Sequence, residues 1–274
     1  DLQTTGNTNT GVGSSCLTAI TTPANNTAVG AGAGEALTTG ASNTAVGAGA
    51  LGAATTGSSQ VAIGFQALSV QHTNAHNTAV GTQAGSAVTT GASNDLFGFQ
   101  TGDSITTGDT NICVGGFSMD SGAAQTGSGN THVGHDGMKV CTSGTGNTSM
   151  GLDATKALTT GNSNTCIGRG AGTALTTGSS NCSIGISSMA STNTGSGNTC
   201  MGNVAGANIS SGSNNLCLGF EAGNAGSPSG DLGTNSNRIV LGDDNITNAL
   251  IRVDWTVTSD KRDKTDIEPL TMGL

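Results

Sequence analysis

The chain has 274 residues, a formal net charge of −9, and 46 glycines. Leu, Ile, Val and Phe make up less than a fifth of the sequence, a composition that excludes an ordinary globular core and on its own is typical of disorder. Only eight residues are Lys or Arg, which argues against nucleic acid as a partner, and no apolar run predicts insertion into a membrane.

A 17-residue repeat runs along almost the whole chain and contradicts disorder. Each copy ends in a phrase such as Asn164-Thr165-Cys166-Ile167-Gly168. The closing glycines are Gly13, Gly30, Gly47, Gly64, Gly81, Gly98 and Gly115, then, after a two-residue slip, Gly134, Gly151, Gly168, Gly185, Gly202 and Gly219, with a last imperfect copy at Gly242. A short fixed period predicts an all-β parallel solenoid, or β-roll, whose units are stable only when stacked.

Two columns of the repeat predict its interior. The residue before each glycine is always apolar, as at Val46, Val80, Ile167 and Met201 before Gly47, Gly81, Gly168 and Gly202, and we expect this column to fill the core. We expect some small or phenylalanine positions, such as Phe65, Phe99 and Phe220, to face partner chains instead. The residue four before the glycine is almost always Asn, as at Asn43, Asn77, Asn164 and Asn198, which predicts a ladder of stacked amides.

A second glycine usually follows ten residues after the first, as at Gly40 and Gly178, and predicts a turn with positive φ. Each repeat therefore reads as strand, turn, strand, turn. The loop composition of Gln125–Gly129 predicts that the two extra residues of the slip bulge there. These features place about thirteen coils, each rising roughly 4.8 Å, in residues 1–223.

Beyond the regular repeats, the sequence predicts two further regions. In residues 224–258 a loop precedes a strand at Ile239–Leu241 and another at Ala249–Val257, whose Trp255 is expected to cap the coil. Residues 259–274 are rich in charge and mark a boundary. Because the chain starts at Asp1 and not at Met, we expect a fragment or a processed product.

The cysteines are predicted to be buried, free thiols. Cys113, Cys166, Cys200 and Cys217 stand two before the glycine, where other repeats carry alanine. Cys200 and Cys217 fall on adjacent coils, but side chains stacked in parallel have the wrong orientation for the dihedral angle of a disulfide.

The charged end carries a resemblance to a known family. Ser259-Asp260-Lys261-Arg262-Asp263-Lys264, followed by Ile267, resembles the opening of the intramolecular chaperone domain of phage tailspikes and tail fibres, an endosialidase-type, self-cleaving peptidase family. The resemblance implies a chaperone that trimerises the fibre and then cuts itself away beside Ser259, with Lys264 as the second catalytic residue. Because the chain stops at Leu274, we expect no enzymatic activity here, only autocleavage in a longer precursor.

The coils are similar to the β-roll of trimeric adhesin heads and to repeats in phage and large-virus fibres. The two resemblances together imply a homotrimeric structural fibre of a virion tail that binds other tail components and a host-surface receptor, with a glycan as the expected receptor. The first alternative is the head of a bacterial trimeric adhesin on the cell surface. An active autoprotease and an ice-binding solenoid, suggested by threonine pairs such as Thr89-Thr90, are the others.

One histidine cluster is a candidate metal site. His132 and His135, with Asp136 beside them, could meet their counterparts on the axis of a parallel trimer. A single occurrence of such a cluster is more often a variation at the surface, which is the interpretation we favour, and we expect no metal or other cofactor.

Overall fold

The computed structural model describes residues 8–22, 24–71, 76–248 and 250. Fourteen three-residue strands form one parallel sheet in sequence order, and the described residues contain no helix. The strands are β1 (Thr10–Val12), β2 (Thr27–Val29), β3 (Thr44–Val46), β4 (Val61–Ile63), β5 (Thr78–Val80), β6 (Asp95–Phe97), β7 (Ile112–Val114), β8 (Thr131–Val133), β9 (Thr148–Met150), β10 (Thr165–Ile167), β11 (Cys182–Ile184), β12 (Thr199–Met201), β13 (Leu216–Leu218) and β14 (Ile239–Leu241). The predicted parallel β-solenoid is confirmed.

Each coil contains one strand, not the two predicted. Neighbouring strands pair one repeat apart, so that Thr165 lies opposite Cys182 and Ile167 opposite Ile184. The rest of each described coil consists of turns and bends. Residues in the left-handed region, such as Asp153 at φ 56° and Ser163 at φ 56°, turn the chain back toward the next strand.

The apolar column before the closing glycine does not fill the core, which corrects the prediction from the sequence. Val46, Val80 and Ile167 are half-buried and Met201 is exposed. The core consists of the residue two before the glycine, together with inward residues three, four and seven after it. In the coil around Gly47 these are Ala45, Ala50, Leu51 and Ala54.

The narrow interior of the coil explains why a column of small residues, and not the column of larger apolar residues, points inward. Side chains alternate across a strand, so the middle residue of each three-residue strand points inward and its two neighbours point outward. The inward position holds small residues in most coils, as at Ala28, Ala62 and Cys166, because the coil leaves little room beside the larger buried residues, such as Leu51 and Leu158, that lie four or seven residues after the glycine in many coils.

The asparagine column is a buried hydrogen-bonded ladder, as predicted. The Asn164 backbone N–H and Nδ2 donate to Asn147 Oδ1 at 2.9 and 3.0 Å, and Nδ2 also donates to the Gly178 carbonyl at 2.9 Å. Asn181 repeats the pattern on Asn164 Oδ1 at 3.0 and 3.1 Å. Each amide thus ties its strand to the coils before and after it.

The two glycines of the repeat have different roles from those predicted. The closing glycines have positive φ, for example 136° at Gly168, and a Cβ there would overlap the carbonyl of Gly185 in the next coil. The glycines ten residues later, such as Gly161, do not have positive φ. A Cβ on Gly161 would overlap the Gly178 carbonyl, so close coil-to-coil approach explains the glycine at this second position.

Both departures from the period fall on the same corner of the coil. The extra residues of the slip are exposed at Gly122–Ala124, just before the predicted segment Gln125–Gly129. Gln125 itself is buried and forms a parallel β-bridge with Ile105. A longer insertion follows Gly223, after which Leu232 returns to the core. In each case the asparagine position regains its register, with Asn130 on Asn111 at 3.0 Å and Arg238 on Asn215 at 3.0 Å.

The compact unit formed by the coils ends at Asp244. The seven cysteines are free, and Cys113, Cys166, Cys200 and Cys217 are buried, as predicted. The predicted strand at 249–257, including Trp255, and the charged region 259–274 lie outside the described residues.

Candidate interaction surface

The outward face of the sheet carries two continuous columns. The first strand position is mostly threonine, as at Thr44, Thr78 and Thr165, and the third is the apolar column. Val29 is 38% exposed and Met150 is 40% exposed. The third position carries no charge in any of the fourteen strands, so this face presents an apolar line along the solenoid.

Further apolar side chains flank this line across the closing glycine in some of the coils. The residue after the glycine is an exposed, large apolar residue in several coils: Phe65, Phe99, Leu152, Ile186 and Phe220. Phe65, Phe99 and Phe220 thus lie outside the core of their own coils, and their contact with partner chains stays a prediction. We call the third strand positions, together with Phe65, Phe99, Leu152, Ile186 and Phe220, the apolar stripe.

An aromatic cluster interrupts the regular pattern next to the stripe. The ring centroids of Phe99 and Phe117 lie 5.2 Å apart, and those of Phe117 and His135 lie 5.4 Å apart, both edge to face. Lys139 Nζ lies 5.5 Å from the Phe117 centroid and donates to Asp136 Oδ1 at 2.8 Å. This hydrogen bond lowers the pKa of Asp136 and raises that of Lys139. The cluster is therefore both aromatic and charged.

Two carboxylates lie one coil apart, in the coils that contain Phe99 and Phe117. Asp103 and Asp120 each stand five residues after a closing glycine, in the column that continues with Lys139 and Lys156. Partial burial, followed by the negative charge of Asp120, raises the pKa of Asp103 to about 7. Asp103 is thus partly protonated near neutral pH.

The structure separates the two histidines of the candidate metal site. His132 is the middle residue of β8 and is fully buried, whereas the side chain of His135 is 51% exposed and its Nδ1 lies 2.8 Å from Asp136 Oδ2. The prediction that the cluster is a surface variation is therefore wrong for His132. Among the described residues, no three His, Cys, Asp or Glu side chains are arranged to hold a metal ion.

The threonine pairs are hydrogen-bonded to neighbouring coils of the solenoid. Thr89 Oγ1 donates to the Thr106 carbonyl at 3.1 Å, and Thr159 Oγ1 donates to the Thr176 carbonyl at 3.1 Å, each one coil away. The first threonine of each pair therefore links neighbouring coils. This use of the hydroxyls gives no support to an ice-binding face.

The predicted catalytic pair, Ser259 and Lys264, lies outside the described residues. The part of the chain that the structure does describe contains no helix with the length and hydrophobicity of a membrane span.

Sequence reasoning missed the aromatic cluster and the inward position of His132. The second could have been found, because His132 stands in the same column as Ala28 and Cys166, two before the glycine. The cluster could not, because Phe117 and Lys139 stand in columns that hold unrelated residues in other coils.

Comparison of the chain with protein-family models, with curated proteins and with solved structures gave no match.

Proposed function

We propose that the chain is the shaft or head of a homotrimeric virion tail fibre that mediates attachment to a host. The observation that carries the proposal is the apolar stripe, which runs from β1 to β14. A soluble monomer rarely exposes an apolar surface that is continuous over such a length.

The occupant of the stripe is another copy of this chain. A partner that covers fourteen coils must present apolar groups at the same axial spacing, about 4.8 Å, and a parallel copy of the solenoid does so at every coil. The third strand position carries no charge, so stacking copies against it buries no unpaired ion at that position. The number three, the virion tail and the host receptor rest on the resemblance of the coils and of Ser259–Lys264 to viral fibres.

Association also offsets the weakness of a slender coil. The interior holds many alanines and few large side chains, and each ordered residue loses roughly 1–2 kcal/mol of backbone entropy. Burying the stripe between copies adds apolar area that a single coil cannot supply.

Native mass spectrometry of the full chain tests the association. We expect a threefold mass for the wild type and a single-chain mass for Val80→Asp/Ile167→Asp, which places charges in the stripe. Thr107→Asp/Thr177→Asp adds the same charge at exposed positions on other sides of the coil and is expected to keep the threefold mass. A wild-type monomer at micromolar concentration contradicts the proposal.

A longer precursor tests the viral assignment separately. We expect cleavage beside Ser259, and we expect Ser259→Ala or Lys264→Ala to abolish it. An uncleaved precursor followed by a heptad-repeat stalk would instead identify a bacterial adhesin head.

A further inference from the structure

The core contains one imidazole in a column of small side chains. His132 occupies the middle of β8, between Cys113 of β7 and Ser149 of β9, and is fully buried. The same position holds alanine in β2, β3, β4 and β5. A titratable ring therefore lies where four other coils bury only a methyl group.

Gly137 makes room for this ring. The residue three after the closing glycine is Ala84 in one coil and Ala154 in another, but glycine in the His132 coil, which we define as residues 131–147. A Cβ on Gly137 would overlap the imidazole, and Gly137 does not have the positive φ that would otherwise favour glycine. The histidine and the glycine therefore form a matched pair.

Neither ring nitrogen of His132 has a hydrogen-bond partner. The hydroxyl of Ser149 directly above donates to the Ala154 carbonyl at 3.0 Å, and the Cys113 thiol directly below contacts Met119 Sδ at 3.2 Å. The imidazole is thus held mainly by packing, and the nearby backbone groups of Gly134 and Ser149 compensate its buried nitrogens only weakly.

Among the residues that the structure describes, no charged side chain faces the ring to balance a proton. The titratable groups within the core near His132 are the thiols of Cys113 and Cys141, and burial raises the pKa of both, that of Cys141 to about 11. The charged groups of the same coil, His135, Asp136 and Lys139, are on the outer surface. The neighbouring coils likewise place Asp103, Asp120, Asp153 and Lys156 in outward columns.

We propose that His132 makes its coil an acid-sensitive segment of the solenoid, which opens locally when the imidazole is protonated. A proton on this ring would be an unpaired charge in the core, whereas in the opened coil the imidazolium is hydrated. The opened segment would comprise the His132 coil and the strands on either side of it, β7 and β9, because their inward residues pack on the ring.

The acid window follows from the direction of the shift. Burial lowers the pKa of His132 from 6.5 to about 4, against a smaller opposing effect of backbone groups at Gly134 and Ser149. The opened state binds the proton more tightly, so stability is lost as pH falls from about 6.5 to about 4. Over that interval the ratio of closed to open coil falls roughly 100-fold.

Amide hydrogen exchange of the full chain between pH 7.5 and pH 4, corrected for intrinsic rates, tests the proposal. We expect the amides of Ile112–Val114, Thr131–Val133 and Thr148–Met150 to lose roughly 100-fold in protection, while those of Thr27–Val29 and Thr199–Met201 lose far less. His132→Ala/Gly137→Ala rebuilds the Ala79 and Ala84 arrangement found elsewhere in the chain and should abolish the local loss.

Two further variants keep the result interpretable. His132→Ser reproduces the inward serine of β9 and should behave like the double variant even if that one packs poorly. His135→Ala removes the exposed histidine and should retain the full acid response. The same loss of protection in wild type and in both His132 variants overturns the proposal, as does an unchanged protection of the His132 coil at pH 4.

Discussion

The asparagine column and the apolar column lie three residues apart in every coil, yet the first is buried and the second faces outward. Asn164 is buried and hydrogen-bonded to Asn147, Gly178 and Asn181, whereas Ile167 faces outward on the sheet. In the sequence the two columns are equally regular. Regularity along a solenoid therefore identifies positions that must match between coils, and it does not reveal which side of the coil they occupy.

Substitution of a closing glycine should lower the unfolding free energy more than any other change considered below. In Gly168→Ala the new Cβ lies 2.6 Å from the Gly185 carbonyl carbon at a φ of 136°, and we expect a loss of about 4 kcal/mol or more in unfolding free energy. Urea denaturation followed by circular dichroism measures it.

Gly170→Ala, two residues later, is the matched control. Its φ is 66° and the nearest atom to a new Cβ is Ser187 Oγ at 3.7 Å, so only the left-handed backbone is strained and about 1 kcal/mol is lost. Equal losses for the two variants would show that coil-to-coil overlap is not what requires glycine at Gly168.

Removal of one amide from the ladder should have the next largest effect. Asn164→Ala leaves the Gly178 carbonyl and the Asn181 N–H groups without their buried partner, and we expect a loss of about 3 kcal/mol. Asn203→Ala, at an exposed position, should change the unfolding free energy by less than about 0.5 kcal/mol. The same urea titration compares them, and a small effect at Asn164 would contradict the role assigned to the ladder.

Substitution in the outward apolar column should have the smallest effect on the stability of the coil itself. Ile167→Thr places on the third strand position a residue common at the first, and we expect amide protection of Thr165–Ile167 and Cys182–Ile184 to change by less than about 1 kcal/mol. Hydrogen exchange at fixed protein concentration measures this. A loss as large as that of Asn164→Ala would show that this column contributes to the core of the coil.

The sequence was sufficient to predict the period, the parallel solenoid, the asparagine ladder and the buried thiols, because each follows from one residue type at one spacing. It was misleading for Val46, Val80, Ile167 and Met201, because apolar residues normally indicate a core. The coil is too narrow for such side chains beside residues like Leu51 and Leu158, and that dimension is not visible until the turns are known.

The candidate surface was less predictable than the fold. The sequence did predict that Phe65, Phe99 and Phe220 lie outside the core of their own coils, but the contact between Phe117 and His135 depends on how the turns of two coils stack. The burial of His132 follows from its column once that column is known to point inward.

The corner that holds both insertions has a consequence for how such a chain can diverge. Gly122–Ala124 and the segment after Gly223 lengthen the coil, yet the amide ladder resumes in register in the following strand. Insertions at this corner would therefore change the surface without disturbing neighbouring repeats. We therefore expect a foreign peptide grafted at Gly122, where a new side chain would meet no atom within 4 Å, to be displayed on an otherwise unaltered scaffold.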